Sequence, residues 1–342
     1  MNAAQATLAV LWLGLTLYAL FAGADFGAGF WDLFAGGARR GRPQRDLIEH
    51  VIGPVWEANH VWLIFVLVLL WTGFSPVFAA IMSTLYIPLT LAALGVIGRG
   101  AAFAFRKVVD ELWQQRLFGA VFAASSILTP FFMGTVAGAI ASGRVPPGLA
   151  AGNLVTSWLN PTGVLGGILA VGTCAYLAAM YLCHDAVRLG RPDLADAFRR
   201  RALAVAVVVG VVVLGGIVVV RADAPALFHG LTHRGLPLVI VSTLSGLVSL
   251  ALLVARRYVP VRSMSALAVA AVLWGWALAQ YPRVLPPDLD YAVAAARPPV
   301  LTATLITVGI GALLLLPSLG WLYIVFQHNQ IPPRNRPAAS RH

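Results

Sequence analysis

Residues 202–220, ALAVAVVVGVVVLGGIVVV, decide the architecture. The run carries no charge and no proline, and as a helix rising about 1.5 Å per residue it crosses the roughly 30 Å hydrocarbon core of a bilayer. A membrane-spanning strand would alternate apolar and polar side chains over about ten residues. Nothing alternates here, so the segment reads as a transmembrane helix and a β-barrel is excluded.

The same pattern recurs along the chain. Its 342 residues are 59% hydrophobic and 11% charged, with a mean hydropathy of +0.83, against about 25% charged residues in a soluble domain. Nine spans are expected near 6–35, 52–73, 76–105, 117–141, 159–184, 202–220, 236–255, 264–281 and 299–327. The fold class is therefore all-α and polytopic, a single integral-membrane domain over 1–327. The remainder, 328–342, is rich in proline and arginine and reads as a disordered tail.

The net charge of +11 points to nucleic acid only if location is ignored. Eighteen of the 24 lysines and arginines fall in the odd-numbered connections and the tail, five in the even-numbered connections, and Arg99 lies inside a span. A nucleic-acid surface would not alternate loop by loop. The bias instead predicts an outer N-terminus and a cytoplasmic C-terminus. The first basic residue is Arg39, so the opening span lacks the charged start of a secretory signal and is expected to be retained.

Cys174 and Cys183 share the fifth span, nine residues apart on opposite helix faces, and read as core thiols. His229 and His233 in RADAPALFHGLTHRG (221–235) can share a helical face. Pro225, Gly230 and Gly235 argue against a rigid metal site there, so solvated loop histidines are expected.

Chemistry concentrates where acids enter spans. In GPVWEANHVWLIFVLVLLW (53–71) Glu57, Asn59 and His60 stand at the cytoplasmic end of the second span. Asp25, in FAGADFGAGF (21–30), lies some ten residues before the first span ends. Most other acids fall in connections or at span ends, where a solvated charge is the reading, and Asp32 and Asp185 lie near cytoplasmic ends. Intramembrane acids face protein or water and mark ion paths, so Asp25 and Glu57 together resemble a proton inlet. The competing reading of Glu57 is structural, since Pro54 at a helix start followed by an acid in the first turn favours the helix dipole. Gly23 and Gly27 allow a neighbouring helix to approach and shelter Asp25. His60 can hydrogen-bond to Glu57 three residues earlier; as a haem ligand it lacks a second histidine at matching depth. Arg99 can snorkel to the cytoplasm or pair with Asp25 or Glu57. On these residues alone, a proton-coupled secondary transporter using Asp25 and Glu57 fits equally well.

GADFGAG, GPVWEANHVWL, LYIPLTLAALGVIGRGAAFAFR and LNPTGVLGGILA resemble signature stretches of subunit II of the cytochrome bd-type quinol oxidases, across more than half the chain. The resemblance implies nine helices in two four-helix bundles plus a peripheral helix, in the bacterial cytoplasmic membrane. It implies pairing with a homologously folded subunit I that holds haem b and haem d, or a b-type haem, oxidises quinol and reduces O2 to water. Small single-helix subunits, and lipid or quinone in gaps between helices, are further implied partners. Asp25 and Glu57 match a proton path of that family, with His60 beside it, and Trp62 matches a position of its oxygen tunnel. This chain itself is expected to bind no cofactor. Glu57 stands where many members carry Asp, and His60 replaces a common acid.

Overall fold

The computed structural model describes residues 2–37, 41–105, 108–109 and 111–329, and leaves the side chains of 51–58, 112, 316, 319 and 322–329 undescribed. The chain order is α1 (Ala3–Leu33), α2 (Arg42–Gly73), α3 (Ser75–Thr84), α4 (Tyr86–Phe105), α5 (Leu112–Ala141), α6 (Pro161–Arg188), α7 (Pro192–Asp223), α8 (Pro225–Thr232), α9 (Leu236–Val254) and α10 (Tyr258–Gln280). A small hairpin of β1 (Arg283–Leu285) and β2 (Leu289–Asp290), then α11 (Tyr291–Ala294) and α12 (Pro298–Asn329), complete it. Among the described residues eight helices are long and apolar enough to cross a membrane, or nine if a bent pair counts as one span. The tail beyond Asn329 lies outside the described residues.

Helix starts follow local chemistry. Asn2 caps α1 in a reciprocal pair with Gln5, at 2.8 and 3.0 Å, which satisfies two orphan N–H groups. Asn160 accepts from the Gly163 N–H at 2.8 Å, and Pro161 opens α6 with no donor to waste. Two expectations need correction. The helix that carries the second span starts well before the expected 52, because α2 begins at Arg42 and runs through Pro54 without a break. The third, expected as one helix over 76–105, is divided: α3 turns back from α2 by 118° and ends at Thr84. Pro88 has no N–H for the Thr84 carbonyl, so the helical ladder is interrupted there and restarts as α4.

Helix α1 sits at the centre, packed against α2, α5, α6, α10 and α12. With α2, α4 and α5 it forms one group; α6, α7, α9 and α10 form another, joined through α6, and α12 lies outside against α1 and α2. Apolar burial drives little between helices in lipid, so close backbone contact matters more. At Gly27 a Cβ would stand 1.8 Å from the Cys174 carbonyl oxygen, so only glycine lets α1 meet α6 there. Both cysteines are buried free thiols on α6.

Candidate functional site: a buried charge cluster

Four helices converge on Asp25. Its carboxyl on α1 and the Arg99 guanidinium on α4 are both removed from the surface, with side chains 0% and 1% exposed. Arg99 Nη2 donates to Asp25 Oδ1 at 2.5 Å and to the Asp25 carbonyl at 2.8 Å. Nη1 donates to Ser126 Oγ on α5, and that hydroxyl donates to the Phe122 carbonyl at 2.6 Å. Phe26 and Phe122 flank the guanidinium, their ring centroids 5.1 and 4.3 Å from its central carbon. From α2, Asn59 Nδ2 reaches Asp25 Oδ2 at 3.4 Å. A charge at membrane depth is costly unless paired and hydrogen-bonded, and this one is both.

The local sequence builds the cluster through a missing side chain. Gly29 lies one turn beyond Asp25, and a Cβ on it would overlap Ser126 Oγ and Arg99 Nη1. Two buried polar atoms, Arg99 Nε and Asn59 Oδ1, lack a protein partner among the described residues. Ordered water is what ordinarily satisfies such atoms. The cluster therefore offers an ionisable oxygen, a hydroxyl and hydratable polar atoms within one sheltered volume.

The expected site residues divide. Asp25 and Arg99 meet, and Arg99 does not snorkel. Glu57 is helical, but its side chain lies outside the described residues. Because α2 begins at Arg42, Glu57 stands about four turns inside the helix, and the first-turn dipole reading of it fails. His60 is half-buried on α2. Trp62 packs against the cluster of Tyr18, Ala22, Phe26 and Cys174, with the Phe65 ring edge-on at 5.7 Å. Asp32, expected near the cytoplasmic end of its span, is 6% exposed and 3.1 Å from Arg45 Nε. Residue types gave no warning of Ser126, an unremarkable serine in an apolar run, although Gly29 at four residues from Asp25 marks the face it approaches.

Elsewhere, His229 and His233 stack on α8 and its end, ring centroids 3.9 Å apart. Among the described residues no three histidine, cysteine or acidic side chains gather as a metal site.

Fold and site define a polytopic helical membrane protein with an ion pair buried between its spans. The family model described as "Cytochrome bd terminal oxidase subunit II" matches residues 3–326, and the chain belongs to that family. It is 29% identical over 207 residues to the cytochrome bd ubiquinol oxidase subunit 2 of Bacillus subtilis, covering 60% of this chain and 58% of that one. It is 28% identical over 172 residues to the cytochrome bd-I ubiquinol oxidase subunit 2 of Escherichia coli, covering 48% of this chain and 44% of the other. The chain thus spans less than two thirds of these relatives' length. A solved bd oxidase from Geobacillus thermodenitrificans has the same fold, with a TM-score of 0.75 at 22% identity over 96% of this chain and 100% of that one. Family and apolar helices make this a multi-pass protein of the bacterial cytoplasmic membrane.

Proposed function

We propose that this chain is the subunit of a bd-type quinol oxidase that carries protons, and part of the oxygen supply, to a haem-bearing subunit I. That partner oxidises quinol and reduces O2 to water. The observation that carries the reading is the Asp25–Arg99 pair, buried between helices of a family member with unsatisfied polar atoms beside it. A protonatable carboxyl held in protein rather than lipid is what a proton path requires. Glu57 and His60 on α2 are assigned to the same path, and Trp62 to the neighbouring oxygen route. With the positive-inside bias, the path opens to the cytoplasm.

Haem chemistry does not fit the described histidines of this chain. None of the described histidines is fully buried, whereas an axial imidazole needs an enclosed pocket. Haem, in this reading, belongs to the partner, where it supplies the electron transfer to oxygen. The residues here hold and move protons and pack against the partner. A proton-coupled transporter finds no relative among the matched proteins.

The test is purification of the native complex with an optical spectrum. A larger partner with haem absorbance is expected, and Glu57→Gln is expected to slow O2 consumption while that absorbance remains. A colourless chain that moves solute in liposomes contradicts the reading.

A further inference from the structure

We propose that Asn59 is the positioning residue that lets Asp25 gain and lose a proton in place, its amide turning to donate to the carboxylate and to accept from the neutral acid; this rests on the reading of Asp25 as a proton carrier. The two carboxyl oxygens are held unequally. Oδ1 takes the Arg99 Nη2 donor at 2.5 Å, whereas Oδ2 meets only Asn59 Nδ2 among the described residues, at 3.4 Å. Protonation therefore falls on Oδ2, the oxygen away from the cation. Asp25 and Asn59 are each 1% exposed, so bulk solvent supplies no acceptor for that proton and a neighbour must. With the amide as it serves the charged carboxylate, the new O–H would face an N–H, donor against donor.

Asn59 can remove that conflict because its other amide atom is uncommitted. Asn59 Oδ1 is buried and has no partner among the described residues. A half-turn about the Cβ–Cγ bond exchanges two atoms of nearly equal size and brings Oδ1 to face the acid, where it accepts. One amide atom meets Asp25 in either state and the other is unmet in either state, so the turn keeps the number of hydrogen bonds. Asn160 is the opposite case. Its Oδ1 accepts from the Gly163 N–H at 2.8 Å and its Nδ2 donates to the Ser157 carbonyl at 2.9 Å, so the same half-turn there would break both. Arg99 keeps Asp25 in position throughout, since Nη2 also donates to the Asp25 backbone carbonyl at 2.8 Å, a bond that does not depend on the charge of the side chain. In the step proposed, a hydrated proton passes to Oδ2 and leaves its water behind, the carboxylate becomes the neutral acid, and the reverse step regenerates the anion. No electron moves.

The experiment uses the assembled oxidase, with haem absorbance counting intact complex, and reads proton uptake by stopped flow beside the redox-induced infrared difference spectrum. The carboxylic C=O band of Asp25 is the one missing from Asp25→Asn. Asn59→Leu is close in shape and cannot bond; it is expected to slow uptake about tenfold and to move that band to higher wavenumber, because the acid has lost its acceptor. Asn59→Gln keeps an amide and is expected to return the band and most of the rate. If Asn59→Leu does not assemble, Asn59→Thr and Asn59→Val make the same comparison at equal shape, since only the hydroxyl can donate or accept, and faster uptake in Asn59→Thr is expected. Slow uptake in Asn59→Leu with the band unmoved overturns the switch in favour of a packing role, as do equal rates in Asn59→Thr and Asn59→Val. Wild-type uptake in Asn59→Leu beside slow uptake in Asp25→Asn overturns the switch and leaves the path; wild-type uptake in Asp25→Asn, or no band lost there, overturns the underlying reading as well.

Discussion

Two ion pairs of similar chemistry sit at different depths. Asp25–Arg99 lies wholly inside the first helical group. Arg144–Asp223 joins the α5–α6 connection to the end of α7, its side chains 33% and 13% exposed. In that second pair Arg144 donates twice to the carboxylate, at 2.8 and 2.6 Å, and Thr162 adds its N–H and hydroxyl from the first turn of α6. Asp223 therefore caps α6 while it pins α7, and both carboxylate oxygens accept bonds whose use is structural. The hydrogen bonds from Arg144 to Asp223 push the Arg144 guanidinium up from its ordinary value. A raised base stabilises the fold below its ordinary pKa and loses that contribution only in strongly alkaline solution. The clamp is thus constant across physiological pH. The deep pair differs in having buried neighbours with unmet hydrogen bonds among the described residues, and the proposed proton role rests on that difference.

The contrast can be broken first at its strong end. Arg99→Leu leaves the Asp25 carboxylate buried without its cation, a loss of about 3–5 kcal/mol. Reduced assembly and a lower thermal midpoint of the complex are expected. Adding Asp25→Leu to the same chain removes the stranded charge, so the midpoint recovers while O2 consumption does not. Recovery of both would make the pair a structural element only.

At the boundary pair, Asp223→Asn keeps the shape and removes the charge. About 1 kcal/mol of stability is at stake after allowance for solvent around Arg144, measurable as a small fall in thermal midpoint with unchanged turnover per haem. Weakest is Asp196–Arg256, 3.5 Å apart with side chains 41% and 61% exposed. Asp196→Asn is expected to shift stability by no more than about 0.5 kcal/mol, so a midpoint within error of wild type completes the gradient.

Much of this was legible in the residue order. Long unalternating apolar runs gave the membrane helices, and the rarity of charge inside spans singled out Asp25 and Arg99. The boundaries that failed did so for local reasons. Nothing in residues 42–52 forbids helix, so polar character there disguised the first turns of α2 as a connection. Pro88 sits within an apolar run whose composition hid the missing donor that ends α3. The cover over Asp32 was not legible, because distance from a span's end measures depth in a bilayer and says nothing of the cover given by the first turn of α2, which carries Arg45. Ser126 could not be found at all from its own helix, since its role is set by where Gly29 on α1 leaves room.

The most direct test of the Asp25 assignment is proton uptake by the purified oxidase carrying Asp25→Asn, normalised to its haem absorbance. The amide keeps the size of the side chain and a hydrogen-bond acceptor for Arg99 but cannot exchange a proton, so uptake at least about tenfold slower than wild type is expected with the haem spectrum intact. Uptake at the wild-type rate in an intact complex contradicts the account, and would leave Asp25 as no more than the counter-ion that keeps Arg99 in the membrane.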